Sequence, residues 1–288
     1  MSFKPNEYIK AKTVGEVTAL LKEHGEEAAV VAGGTELHEL AVRGMVPRIK
    51  KLIDIGQLGL NDIKNGNGGI SIGATTNLSS IRDNSLFSGA YTVMHEAANF
   101  LPFQIVGRGT IGGDICSGLP ILNFPPVVVA LEAELKAVSS GGERTIPAGE
   151  FFVDYFLTAL NPEEFVTEVV IPPLPKGTGS VFQTFKLLSV DYPTVSVAVT
   201  VTLGSNEICE KVGIVFGSVG RIPVRATKAE GKLQGKKLED KVIKEAVGTI
   251  PGELEPMSDL RASAEYRKDI SQVLAENALI QVRTRITS

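Results

Sequence analysis

The sequence predicts an α+β protein. Two N-terminal α/β subdomains are expected over residues 1–55 and 56–175, then a C-terminal domain with an antiparallel sheet and helices over 176–288. Three observations predict it. Helical and strand patterns alternate quickly through the first 55 residues. The stretch "PPLPKGTGS" at 172–180 is the Pro/Gly punctuation of a linker. Beyond it strands come first and helices last, the segregated order of an α+β unit.

"TVGEVTALLKEHG" at 13–25 opens with Thr13 and carries Glu16 three residues on, a capping box. Val17, Leu20 and Leu21 share one helical face, and Gly25 ends the helix. Val30, Val31 and Ala32 form a short buried strand that leaves into Gly33–Gly34. "ELHELAVRG" at 36–44 is a short helix stopped by Gly44, and "KKLIDI" at 50–55 is a second buried strand.

"GISIGAT" at 69–75 alternates and is β-branched, as a strand should be. "NLSSIRDNSLF" and "AYTVMHEAANFL" are helices, the second ending before Pro102. "FPPVVVALEAELKAVSSGGERTIPAGEFF" gives helix, strand, a hairpin turn at Gly141–Gly142, and strand. "EFVTEVVIPPLP" is a strand closed by prolines. In the last third, "VFQTFKLL", "TVSVAVTVTLG" and "KVGIVFGSVG" are strands. "KLEDKVIKEAVGTI" and "SAEYRKDISQVLAENALIQVRTRI" are helices, the latter with Tyr266, Ile270, Val273, Leu274 and Ile280 near helical spacing.

Composition narrows the function. Among the 288 residues, 43% are hydrophobic and 22% charged, ordinary values for a globular protein. A net charge of −4 opposes binding to nucleic acid or anionic membranes, which ask for a basic face. The longest apolar runs are too short for a bilayer span, and "MSFKPNEYIK" lacks a signal-peptide core, so a cytoplasmic protein is expected. Cys116 and Cys209 stand alone, so no zinc or iron–sulfur site can be built from cysteine here. His24, His38 and His95 are scattered, and none accompanies a nucleophile motif.

The chemistry-bearing feature is a pair of glycine turns, "VVAGGTELHEL" at 30–40 and "GTIGGDICSG" at 109–118. Glycine lets a ligand approach the backbone, and successive N–H groups in such a turn form an anion nest. Thr35 and Thr110 add hydroxyls, and a helix beginning near Glu36 aims its positive end at the same place. Two nests suit a diphosphate better than a single phosphate, although either pair alone also reads as a tight turn. Neither stretch fits the Rossmann GxGxxG or the P-loop pattern.

With "GRGTIGGDICSGLPILNFPP" and "ERTIPAGEFF…FLTALNPEEFVTEVVIP", the first turn resembles the FAD-binding medium subunits of molybdenum hydroxylases. That family includes carbon monoxide, xanthine and nicotinate dehydrogenases and 4-hydroxybenzoyl-CoA reductase. The resemblance runs nearly the whole chain. It implies a PCMH-type flavoprotein fold with non-covalent FAD between the two N-terminal subdomains. It also implies an electron-transfer role, from 2Fe–2S centres through FAD to an external acceptor. A 2Fe–2S small subunit and a molybdopterin large subunit would be the partners, in a dimer of heterotrimers.

The resemblance also implies site residues. Val30, Val31, Ala32, Gly33, Gly34, Thr35, Glu36 and Leu37 match the first diphosphate loop, and Thr110, Ile111, Gly112, Gly113 and Asp114 the second. Many relatives carry Asn in place of Asp114. Asn123 stands where many have an Asp ligand-side acceptor, plausible for the ribose. Phe100 falls where relatives place an apolar group near the cofactor, and Val166 lies in a strand whose backbone approaches it. Lys186 and Tyr192, in "FKLLSVDYPTVSVAV", match residues beside the isoalloxazine ring, although "LLSV" lacks the extra basic residues common there. Two cysteines cannot hold the four-cysteine cluster of the 4-hydroxybenzoyl-CoA reductase type. A free-standing FAD oxidoreductase and a non-flavin α/β binding protein are the competing readings.

Overall fold

A computed structural model describes residues 5–45, 49–66 and 68–287; the first residues of the stretch read above for a signal peptide lie outside these. The chain begins with a small parallel sheet. β1 (Glu7–Lys10), α1 (Val14–His24), β2 (Ala28–Val31), α2 (Thr35–Val42) and β3 (Lys51–Asp54) follow one another, and β3 is the central strand of the order β1-β3-β2. α1 starts as expected, with the Thr13 hydroxyl accepting the N–H of Glu16. Glu16 reaches back one residue further than a standard capping box and takes the N–H of Lys12 at 2.7 Å. Val17, Leu21 and Ile53 make the core of this layer. β2 is half-buried rather than buried, because one side of it faces an open groove.

The middle of the chain builds a five-stranded antiparallel sheet, β4-β5-β10-β6-β7. Its strands are β4 (Ile63–Gly66), β5 (Gly69–Gly73), β6 (Glu134–Ser139), β7 (Gly142–Pro147) and β10 (Phe165–Ile171). Short helices accompany it: α3 (Leu78–Arg82), α4 (Thr92–Asn99), α5 (Phe103–Val106), α6 (Ile111–Cys116), α7 (Phe124–Ala130) and α8 (Ala148–Phe151). The stretch expected as one helix over 77–87 breaks after Arg82, where Asn84 turns inward to accept the N–H of Leu86 and starts a separate turn. The β6–β7 turn is one residue earlier than expected. Ser139 pairs with Gly142, leaving Ser140 and Gly141 as the two loop residues. A two-stranded ribbon, β8 (Phe152–Asp154) and β9 (Leu157–Thr158), follows α8.

The last region is an antiparallel sheet in the order β11-β12-β13-β14. It comprises β11 (Thr178–Phe185), β12 (Val195–Leu203), β13 (Cys209–Gly217) and β14 (Val224–Arg225), with α9 (Thr227–Leu233), α10 (Asp240–Val247) and α11 (Ala264–Thr287). β11 already begins at Thr178, so the connection from β10 is shorter than the punctuation implies. Every residue of β12 is buried, because both faces are covered. Val197, Val199 and Val201 join the C-terminal core, while Ala198 on the opposite face joins the middle core. On that same face Thr200 donates to the carbonyl oxygen of Ala130 in α7 at 3.1 Å.

α11 buries the expected stripe only in part, with Ile270, Leu274 and Ile280 half-buried against the C-terminal core. Tyr266 and Val273 are exposed, whereas Arg267, Ser271, Ala275, Ala278, Leu279 and Val282 are buried. Small side chains on this face allow the helix to lie close against β11 and β12.

Candidate functional site

Three parts of the chain converge on one groove of about 940 Å³. One wall is the β2–α2 turn, the second is the stretch from Leu101 through α6 to Asn123, and the third is the β11–β12 loop with Lys186 and Tyr192. The volume lies within the range of small-molecule sites.

The first glycine turn keeps its donors free. α2 starts at Thr35, and Gly34 before it has φ +73°, which favours glycine. Among the described residues, no acceptor takes the N–H groups of Gly33, Gly34, Thr35, Glu36 or Leu37; the first helical bond runs from His38 to Gly34 at 3.0 Å. A helix start leaves such donors unsatisfied and adds its dipole to them. Gly33 is glycine for a packing reason. A Cβ there would collide with the carbonyl oxygen of Arg108, where the first layer meets the second.

The second glycine pair is different. Ile111 N–H goes to Thr76 at 3.1 Å and Gly112 N–H to Ala74 at 2.9 Å. The Thr110 hydroxyl, acting as N-cap of α6, takes the Gly113 N–H at 3.2 Å. Asp114 N–H closes on the Thr110 carbonyl at 2.9 Å. The backbone donors of Ile111 to Asp114 expected for a second nest are therefore already used by the fold. Thr110, Gly113 and Asp114 still line the groove.

All of Val30 to Leu37, with Asn123, Lys186 and Tyr192, also line it. Ile111, Gly112, Val166 and Phe100 do not. Ile111, Gly112 and Val166 are buried in packing. The ring of Phe100 packs near Phe182, while its carbonyl oxygen accepts from Lys186 Nζ at 2.5 Å. Groove residues that the sequence reading missed include Leu101, Ile105, Arg108, Leu122 and Asp191. Pro102 followed by exposed Phe103 and half-exposed Ile105 was the available signal, since apolar side chains in an unpaired segment need a partner.

The electrostatics are mixed. Desolvation raises the Glu36 carboxyl, partly offset by the hydroxyl of Tyr192, which donates to it over a long 3.3 Å. Burial and the neighbouring Glu36 carboxylate likewise raise the Tyr192 phenol. Asp114 is pushed up to about 7, chiefly by desolvation and further by Glu36, although it accepts the Phe124 N–H at 3.2 Å. Burial holds Lys186 below the usual ammonium range, against the pull of Asp191. Burial pushes the Cys116 thiol up to about 12, so it is no thiolate for a covalent link.

These residues fit FAD. The free donors of α2 suit a diphosphate. The carbonyl oxygen of Asn123 is buried without a partner while its amide donates to Ala97 at 2.8 Å, leaving one acceptor at the groove. Leu101, Ile105 and Leu122 supply apolar wall for an aromatic ring system.

Fold and groove together define a flavin-binding protein. A family model described as the FAD binding domain in molybdopterin dehydrogenase matches residues 1–174. One described as the CO dehydrogenase flavoprotein C-terminal domain matches 180–282. The glyceraldehyde dehydrogenase medium chain of Sulfolobus acidocaldarius is 31% identical, over 96% of this chain and 97% of that one. The carbon monoxide dehydrogenase medium chain of Hydrogenophaga pseudoflava is 29% identical over 95% of each. A solved carbon monoxide dehydrogenase from the same organism, lacking the Mo-pyranopterin moiety of its cofactor, superposes with a TM-score of 0.94 at 30% identity over 99% of both chains. The chain belongs to the FAD-binding medium subunits of molybdenum hydroxylases, and its activity is that of an oxidoreductase flavoprotein subunit.

Proposed function

We propose that this subunit is the electron exit of a molybdenum hydroxylase, holding one non-covalent FAD through which electrons from 2Fe–2S centres leave for an external acceptor. FAD, when bound, supplies the redox centre, and the protein supplies binding and tuning. The observation that carries the reading is the run of free N–H groups from Gly33 to Leu37 at the mouth of α2. Those donors hold the diphosphate, and Arg108, whose backbone carbonyl lies against Gly33, lines the same groove. Asn123 accepts from a ribose hydroxyl. Lys186 and Tyr192 flank the ring, where the Lys186 cation favours negative charge and Tyr192 limits access of the acceptor.

With two cysteines the chain has no set for iron–sulfur ligation, and no group of three or more His, Cys, Asp or Glu among the described residues is placed to hold a metal. The metal centres therefore belong to a 2Fe–2S small subunit and a molybdopterin large subunit, assembled as a dimer of heterotrimers in the cytoplasm. The domain division at 55 and 175 belongs to the same reading, with the cofactor lying where the units meet. Stopped-flow on the assembled complex tests the roles. Tyr192→Phe and Lys186→Ala should change oxidation of the reduced flavin and leave reduction by substrate near the wild-type rate. An effect confined to substrate reduction, or full turnover by the isolated chain, would sink the relay.

A further inference from the structure

Tyr192 is held from behind by a charged network that begins at Asp191, on the groove wall, and runs back into the C-terminal domain. The carboxylate of Asp191 takes the N–H of Tyr192 at 2.8 Å. Arg261, in the segment before α11, grips the same carboxylate with two donors, at 3.2 and 3.3 Å. Its guanidinium also lies over the Tyr192 ring, 5.8 Å from the ring centre. Arg261 is fixed in turn by Asp259, at 3.6 Å, and Asp259 by the buried Arg267 at 2.7 Å. Arg267 donates to the carbonyl oxygens of Thr194 and Ser218, so the network is tied to the ends of β12 and β13. On its free side the phenol of Tyr192 reaches Glu36 across the groove.

We propose that Arg261 is a positioning residue, which fixes the Asp191–Tyr192 turn so that the phenol closes the groove against α2 and helps retain the flavin. The inference rests on the flavin reading given above. A planar guanidinium can grip a carboxylate with a fork while lying against a ring, whereas a lysine offers one compact charge with neither the fork nor the flat face. Pro193 restricts Tyr192 to extended backbone but leaves its side-chain rotamer open, so the ring needs a neighbour to hold it.

Two readouts on the full chain test this. Without flavin, fluorine NMR of 3-fluorotyrosine-labelled protein, with the Tyr192 signal assigned by Tyr192→Phe, should show one resonance. In Arg261→Gln that resonance should move toward the solvent-exposed position. An unmoved resonance overturns the proposal without reference to FAD. With flavin, Arg261→Gln should weaken FAD binding by about fivefold, and by less than about twofold in a Tyr192→Ala background, since coupled neighbours are non-additive. Arg261→Lys should recover only part of the loss. Equal losses in both backgrounds, or none in either, overturn the proposal. Should Arg261→Gln fail to fold, Asp191→Asn removes the other half of the grip and carries the same expectations. Wild-type protein that takes up no FAD defeats the cofactor reading, whereas the fluorine result still decides what Arg261 does to Tyr192.

Discussion

Asp114 carries a carboxyl into a groove that should receive a diphosphate. With its value raised to about 7, it is largely protonated just below neutrality and then resembles the Asn of many relatives, offering a donor. The folded state holds a proton that the unfolded chain releases near 4, so stability falls as pH rises from about 4 to about 7 and levels off above. Asp114→Asn should flatten that slope, adding on the order of 1 kcal/mol at pH 8, read by urea denaturation at several pH values. The same variant should tighten FAD binding several-fold at pH 8 and change it little at pH 5.5. Wild-type affinity that is constant across this range would show that the carboxyl faces no phosphate. The type and position of Asp114 were legible in the sequence. Its raised value was not, because burial by segments distant in the chain causes most of it and the Glu36 carboxylate adds to it.

At the scale of elements, the two glycine pairs look alike in sequence and differ in the fold. One opens α2 with its N–H groups free; the other sits where the start of α6 meets the segment after β5 and spends them. Substitution should separate the two. Gly112→Val places its Cβ 2.7 Å from the Ala74 carbonyl oxygen, and the Cβ of Gly33→Val collides with that of Arg108. Both should lower the melting temperature as well as FAD affinity, so neither isolates binding. Gly34→Ala has room, with Val31 Cγ2 at 3.6 Å, and costs only the left-handed backbone, about 1–2 kcal/mol. Thr110→Ala should lose about 1 kcal/mol from the cap of α6. Thermal melts with and without FAD distinguish these cases.

Patterns within one element were legible in advance: the cap of α1, its stop at Gly25, the long C-terminal strands. Patterns set by a partner surface were not. β12 is buried on two faces because α7 covers the second, and α11 turns its small residues inward because a sheet lies close against it. β1 and α9 are short, and their identity comes from the neighbours they pair with.

Across the whole molecule, the C-terminal sheet is joined to the middle layer through Glu96. Its carboxylate takes the Phe182 N–H at 2.7 Å and the Arg285 guanidinium at 2.5 Å, linking α4, β11 and α11. Glu96→Ala leaves the half-buried Arg285 cation without its counter-ion, holding only the Ser180 carbonyl oxygen. It should cost about 2 kcal/mol in urea denaturation, within the range for hydrogen bonds to charged groups. The β11–β12 loop rides on that sheet, so the same variant should also weaken FAD binding. No helix among the described residues is long and apolar enough to cross a membrane. The central claim is that the groove binds one FAD through its diphosphate at the start of α2. Calorimetric titration of the purified protein with FAD and, separately, with FMN tests it most directly. One FAD per chain, with FMN bound far more weakly, is the expected result; no flavin uptake, or FMN bound as tightly as FAD, would contradict it.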